Sequence, residues 1–129
     1  MSETIQRCWT GKDLLLVEDD EVSAELMYEL FVGTGLTVHH VKEGRKAIEF
    51  FDKNPDISIV LMDIRLPDIS GIEVTKHIKS KRNTPVIAQT AFAMEEERRR
   101  FISDGCDDYI SKPVERDELF AKISVFLDK

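Results

Sequence analysis

The sequence predicts a single α/β domain in which a parallel sheet is covered by helices on both faces. Short apolar runs alternate with segments of helical periodicity along nearly all of the 129 residues. The first, third and fourth runs lack the hydrophobic–polar alternation of a strand with one wet face, as is typical of strands buried on both sides. Strands that alternate with helices in this way favour a doubly wound parallel sheet, and the length is enough for one core.

Each predicted element has a start or a stop signal in the sequence. Gly33 and Gly35 follow the first helix, and the pair Asn54-Pro55 closes the second. A proline opens the fourth strand, where a missing N–H costs least. The predicted strands are Asp13–Val17, Leu36–Val41, Ile57–Met62, Pro85–Gln89 and Asp108–Ile110. The predicted helices are Val22–Val32, Arg45–Asp52, Ile72–Lys79, Ala93–Ser103 and Glu115–Leu127. These five units predict the flavodoxin-like sandwich, with strand order 2-1-3-4-5.

Composition narrows the class of protein. The chain is 42% hydrophobic and 33% charged, as in soluble globular proteins, and has neither a bilayer-length apolar run nor a signal peptide. We therefore expect a cytoplasmic protein. A formal net charge of −7 argues against direct binding of nucleic acid. Cys8 and Cys106 have no metal-ligand spacing, which indicates reduced thiols. Residues 1–11 are predicted to be an N-terminal extension, and residues 12–129 form the domain.

Acidic residues follow the first and third predicted strands. Glu18, Asp19 and Asp20 end the first strand, and Asp63 ends the third. Ligands of such sheets bind beyond the carboxyl ends of the strands, where the strand order reverses, and that point lies between these two strands. Asp20 alone could instead be the N-cap of the first helix. Carboxylates crowded together need a cation, and Mg²⁺ prefers such oxygen ligands.

The remaining strand ends add a hydroxyl and an ammonium group. Thr90 follows the fourth strand, and Lys112-Pro113 follows the fifth. Lys112 could be a solvated surface lysine, but at this edge it supplies a charge for a phosphoryl oxygen. Carboxylates, a divalent metal, a hydroxyl and a lysine together indicate phosphoryl transfer. Asp63 ends a rigid strand because a carboxylate nucleophile must be held in line with the incoming phosphoryl group.

The sequence resembles the receiver domain of two-component response regulators. The resemblance depends on four motifs in the family's order, and it covers the chain from Lys12 onward. The motifs are VEDD at Val17–Asp20, LMDIRLPDISG at Leu61–Gly71, the pair Thr90-Ala91, and DDYISKP at Asp107–Pro113.

The resemblance implies a role for each matched residue. Asp63 would accept a phosphoryl group from the phosphohistidine of a sensor histidine kinase or a histidine phosphotransfer protein. Lys112, with a cis peptide bond to the next residue, would pair with that group. Thr90 and Tyr109 would form the switch that passes the change to a partner. The implied ligands of Mg²⁺ or Mn²⁺ are Asp19, Asp20, Asp63 and the backbone carbonyl of Arg65, with Asp20 the more direct.

The resemblance also implies an output surface and two residues that set rates. The output surface would be formed by the fourth helix, the fifth strand and the fifth helix, and would bind a downstream protein target or effector domain. A phosphorylation-linked homodimer through this surface is also open. Arg65 and Phe92 lie two residues after the phosphoacceptor and the threonine. There they would hinder the water that hydrolyses the aspartyl phosphate.

Two questions remain open at this point: whether the receiver domain stands alone, and whether the chain is a phosphatase instead. The chain could be a free-standing regulator, or a receiver domain from a hybrid kinase or a multidomain regulator. A phosphatase of the haloacid dehalogenase type also uses an aspartate at a strand end, but it needs a second aspartate where this chain has Arg65. In either receiver reading, the domain is a signalling protein that assists its own phosphorylation and dephosphorylation. It is not expected to be a turnover enzyme.

Overall fold

A parallel sheet of order β2-β1-β3-β4-β5 forms the centre of the computed structural model, which describes residues 9–91 and 95–128. Five strands and five helices alternate within those ranges. The strands are β1 (Asp13–Val17), β2 (Thr37–Val41), β3 (Ile57–Asp63), β4 (Val86–Thr90) and β5 (Asp108–Ser111). The helices are α1 (Glu21–Leu30), α2 (Gly44–Lys53), α3 (Gly71–Lys81), α4 (Glu95–Ser103) and α5 (Arg116–Leu127). The predicted fold class and strand order are therefore confirmed.

Three predicted strands are longer at their carboxyl ends than the sequence suggested, because β3, β4 and β5 extend to Asp63, Thr90 and Ser111. Asp63 is paired with Gln89 in the β3–β4 ladder, and Thr90 is paired with Ser111 in the β4–β5 ladder. Backbone pairing thus continues to the polar residue itself, so the ladder holds the main chain of both residues. The predicted start of the fourth helix, at Ala93, lies outside the described residues.

The two faces of the sheet have separate hydrophobic cores, because successive side chains along a strand point to opposite faces. Leu14 and Leu16 of β1 pack with α1 and α5, whereas Leu15 and Val17 pack with α2 and α3. All four side chains have no exposed surface. Burial on both faces explains why β1 is apolar throughout. Polar residues therefore follow the strand, at the carboxyl edge of the sheet.

Trp9 belongs to the first of these cores, although the sequence placed it in the N-terminal extension. Its side chain is 2% exposed and contacts Phe120 edge to face, with ring centroids 5.4 Å apart. Its indole N–H donates to Asp128 over 2.8 Å, and its backbone N–H donates to Thr34 over 2.7 Å. The chain therefore joins the domain from Trp9 onward. Cys8 and the residues before it lie outside the described ranges.

None of the helices within residues 9–91 and 95–128 has both the length and the apolar composition needed to cross a membrane.

Candidate functional site

Four strands deliver polar side chains to one cleft at the carboxyl edge of the sheet. Glu18 and Asp19 follow β1, Asp63 and Thr90 end β3 and β4, and Lys112 follows β5. The cleft has a volume of about 350 Å³. The parallel topology gathers these sequence-distant residues, because the carboxyl ends of all the strands lie along the same edge.

Asp63 is held from two sides at the floor of this cleft. The residue is 6% exposed, and its Oδ2 lies 3.3 Å from the ammonium nitrogen of Lys112. Its Oδ1 accepts a hydrogen bond of 3.1 Å from the backbone N–H of Arg65. The loop after β3 returns close enough that a Cβ on Gly71 would lie 2.4 Å from the carbonyl oxygen of Asp63. The glycine is therefore required for this loop to pass the backbone at the end of β3.

Glu18 is a buried carboxylate that the sequence reasoning did not assign to the site. It is 1% exposed, and its Oε1 accepts a hydrogen bond of 3.0 Å from Lys112. Burial raises the pKa of Glu18 above its ordinary value, against the opposing effect of that hydrogen bond. Burial alone would lower the pKa of Lys112, but the hydrogen bond to Glu18 and the attraction of Asp63 outweigh it, so the pKa is raised. Lys112 is therefore a charged bridge between two buried acids.

The acids grouped closely enough to share a cation are Glu18, Asp19 and Asp63. Each offers one carboxylate oxygen, and these oxygens all lie within 4.8 Å of one another. Three carboxylates next to a single lysine form an oxygen donor set that suits a hard divalent cation. The residues therefore fit Mg²⁺, and Glu18 joins the candidate ligands named from the sequence.

Asp20 borders the same cleft, but its carboxylate has a structural role. Asp20 is the N-cap of α1, and its Oδ2 accepts from the backbone N–H of Ser23 over 3.0 Å and from the hydroxyl of Ser23 over 2.7 Å. These two hydrogen bonds lower the pKa of Asp20. Of the two alternatives left open for Asp20, the helix cap is the one that the structure shows. That Asp20 also contacts a metal ion stays a prediction, and Glu18 is a further candidate ligand.

The predicted switch residues lie in different surroundings. Thr90 is 7% exposed and lines the cleft beside Asp63. Tyr109 is half-buried on β5, and its ring lies beneath the guanidinium group of Arg98.

The Lys112–Pro113 peptide bond is cis, as the resemblance implied. Phe92, the second of the predicted rate-setting residues, lies outside the described ranges.

A family model for the response regulator receiver domain matches residues 14–124. The chain belongs to this family. A receiver domain of this kind, the polar-differentiation response regulator DivK of Brucella ovis, is 38% identical over 120 residues, which are 90% of this chain and 96% of that protein. The match thus spans almost the whole of both proteins and includes every strand end that lines the cleft.

Solved structures agree with this assignment. The receiver domain of the sensor histidine kinase PA1611 of Pseudomonas aeruginosa has a TM-score of 0.84 at 30% identity, over 93% of this chain and 100% of that one; it carries a magnesium ion in its active-site cleft. The receiver domain of Ssk1 of Saccharomyces cerevisiae, crystallised with the histidine phosphotransfer protein Ypd1, has a TM-score of 0.82 at 25% identity, over 97% of this receiver and 92% of that chain.

Proposed function

We propose that this receiver domain accepts a phosphoryl group on Asp63 from the phosphohistidine of a sensor histidine kinase or a histidine phosphotransfer protein. The observation that carries the proposal is the fixed position of Asp63, at a strand end with the ammonium group of Lys112 3.3 Å from its carboxylate. A nucleophile held in this way needs little reorganisation before it meets a phosphorus atom. The Ssk1 receiver, which was crystallised with a phosphotransfer protein, supports this class of donor.

The proposed transfer exchanges one phosphorus bond for another. A carboxylate oxygen of Asp63 attacks phosphorus and forms an O–P bond while the N–P bond of the phosphohistidine breaks. The imidazole nitrogen leaves with the bonding electrons and takes up a proton. Lys112 pairs with one phosphoryl oxygen, and the Thr90 hydroxyl donates a hydrogen bond to another. The enzyme-like part of the reaction is therefore positioning and charge neutralisation.

The proposed ligands of Mg²⁺ or Mn²⁺ are Glu18, Asp19, Asp63 and the backbone carbonyl of Arg65. Support comes from the spacing of the three carboxylates and from the magnesium ion in the PA1611 receiver. When bound, the ion neutralises negative charge on the carboxylates and on the phosphoryl oxygens. The ion would offset the effect of burial on Glu18, which disfavours the charged form of that carboxylate.

The donor protein is proposed to cover the cleft from the side of α1. Val22 and Leu26 lie on the outer face of α1 and are 66% and 59% exposed. Ser23, between them in sequence, lines the acidic cleft. A phosphohistidine that reaches Asp63 must bring its carrier over this rim, and an apolar surface there would be buried by the carrier.

The output is proposed to pass through Thr90 and Tyr109 to the surface of α4, β5 and α5. This surface exposes Ile102 (47%) and Val125 (60%), which suits either a protein target or a second copy of the domain.

The partners and the site of action are proposed to be cytoplasmic. Whether within a regulator or within a hybrid kinase, as in PA1611, the receiver would act by the same switch. Arg65 and Phe92 are proposed to slow hydrolysis of the aspartyl phosphate.

Intact-mass spectrometry after incubation with acetyl phosphate tests the proposed function. We expect a single phosphoryl adduct that requires Mg²⁺ and is absent from Asp63→Asn. The matched control is Asp20→Asn, which changes a neighbouring carboxylate that caps α1 and should keep the adduct. A cognate phosphohistidine donor replaces acetyl phosphate if the small donor fails. An unmodified wild type with both donors would contradict the proposal.

A further inference from the structure

The ring of Tyr109 lies beneath two cations. Arg98 of α4 places its guanidinium carbon 4.4 Å from the ring centroid, and Lys122 of α5 places its ammonium nitrogen 5.1 Å from the same centroid. Cations at such distances are attracted by the negative face of an aromatic ring. Tyr109 is thus contacted by charged side chains of the helices that precede and follow β5.

The position of Arg98 is explained by the ring better than by hydrogen bonding. Its Nε is buried without a hydrogen-bond partner, and its Nη1 forms an ion pair of 3.3 Å with Glu95. A buried N–H without a partner costs free energy, and the contact with the ring and the hydrogen bond to Glu95 help to offset that cost. Lys122 also has an acidic partner, since its ammonium group donates to Asp108 over 3.2 Å, but it lies farther from the ring centroid than Arg98 does. Arg98 is therefore the cation whose placement depends most on Tyr109.

We propose that Arg98 is a positioning residue that holds Tyr109 in its resting position and so opposes switching. This inference rests on the proposed function, in which the ring of Tyr109 moves when Asp63 is phosphorylated. In that movement the ring would leave Arg98, so the contact would stabilise the unphosphorylated state. Because coupling between two sites is reciprocal, the same contact weakens binding of a phosphoryl group at Asp63 by the same factor.

The size of the effect follows from the exposure of the contact. The Arg98 side chain is 40% exposed, and a partly exposed cation–ring contact changes an equilibrium by about two- to fivefold. Arg98→Met, which keeps an apolar chain over the ring and removes the charge, should raise the population of the displaced ring by this factor. Arg98→Lys, which keeps a cation, should restore most of the wild-type behaviour.

The resting position of the ring can be measured without any phosphoryl donor. The chain has two tyrosines, so 3-fluorotyrosine labelling of a Tyr28→Phe background gives a fluorine NMR signal from Tyr109 alone. We expect Arg98→Met to shift this signal toward its position in the beryllofluoride-bound protein. The matched control is Arg99→Met, since Arg99 lies on the same helix, is 78% exposed and also pairs with Glu95.

Titration with beryllofluoride and Mg²⁺ measures the coupling to Asp63. We expect Arg98→Met to bind this phosphoryl analogue about two- to fivefold more tightly than the wild type, and Arg99→Met to bind it equally well. An Arg98→Met fluorine signal at the wild-type position would show that Arg98 does not hold the ring. A shifted signal with unchanged beryllofluoride affinity would overturn the coupling. A wild type that binds no beryllofluoride would contradict the proposed function instead, and the spectrum without ligand would still decide the contact.

Discussion

At the scale of single residues, the site depends on which carboxylates the backbone leaves available for a ligand. Glu18 follows directly on β1 and is buried against Lys112, whereas Asp20 begins α1 and accepts hydrogen bonds from that helix. Three consecutive acids therefore have different roles, which are set by the point at which the strand ends and the helix begins. Surroundings also affect the Cys106 thiol, because burial raises its pKa.

Replacing Glu18 and Asp20 in turn distinguishes a ligand from a cap. We expect Glu18→Gln to weaken Mg²⁺ binding by at least about tenfold, because it removes one of the three grouped carboxylates. Asp20→Asn should change the affinity little, since an asparagine can still cap α1. Isothermal titration calorimetry with Mg²⁺ measures both. A greater loss in Asp20→Asn than in Glu18→Gln would refute the proposed ligand set.

The Cys106 thiol should resist alkylation in the folded protein. It is 3% exposed, and burial raises its pKa to about 11, so the reactive thiolate is scarce near neutral pH. In a Cys8→Ser background, we expect slow reaction with iodoacetamide at pH 8 and a rate that still rises between pH 9 and pH 11. The same protein in urea is the control and should react quickly. Equal rates in both conditions would show that the thiol is accessible.

At the scale of elements, contacts between distant parts of the chain cap one helix and fill the core between two others. Glu43 is the N-cap of α2 but its side chain forms no cap hydrogen bond; Asp68, from the loop after β3, accepts from the backbone N–H groups of Gly44 and Arg45 over 2.8 Å and 2.9 Å. Trp9 similarly closes the core between α1 and α5. Both contacts join the ends of helices to segments far away in sequence.

Asp68→Asn should lower the melting temperature at neutral pH, because Asp68 accepts with both oxygens at the start of α2 and an asparagine has only one. Burial alone would raise the pKa of Asp68, but the hydrogen bonds from Arg45 and Gly44 outweigh it, so the pKa is lowered. A group with a lowered pKa in the folded state stabilises above its unfolded value, here 3.8, and the benefit disappears as the pH falls below it. Thermal unfolding should therefore separate wild type from variant at pH 7 and bring them together as the pH falls through the lowered pKa of the folded state, below 3.8.

The exposed Asp56 provides a matched control for this measurement. Asp56→Asn should melt like the wild type at both pH values. If Asp68→Asn and Asp56→Asn are equally stable at pH 7, the carboxylate of Asp68 is not an effective cap of α2.

Trp9→Ala should reduce the free energy of unfolding by about 3–5 kcal/mol, the usual cost of truncating a buried large aromatic side chain. Trp9→Phe should reduce the free energy of unfolding less, because it keeps an aromatic ring against Phe120. It loses the hydrogen bond to Asp128. Trp9 is the only tryptophan, so urea unfolding should be followed by circular dichroism. Val125→Ala, at a 60% exposed position of α5, is the control. A Trp9→Ala protein as stable as this control would place Trp9 outside the core.

At the scale of the whole molecule, periodicity and strand ends were enough to predict the fold and most of the cleft. Asp63, Thr90 and Lys112 could be assigned because each follows an apolar run, and parallel strands bring such positions together. Glu18 was harder to assign, because a run of three acids does not show where the strand ends. Trp9 depends on tertiary packing across more than a hundred residues, which local patterns do not contain.

The central claim is that Asp63 is the acid that carries the phosphoryl group. Borohydride reduction of the acetyl phosphate-treated protein converts an aspartyl phosphate to homoserine, and peptide mass spectrometry then locates the modified residue. We expect homoserine at position 63 in the wild type and no conversion in Asp63→Asn or without Mg²⁺. Conversion at position 19 or 20, or modification of Asp63→Asn to the same extent as the wild type, would contradict this claim.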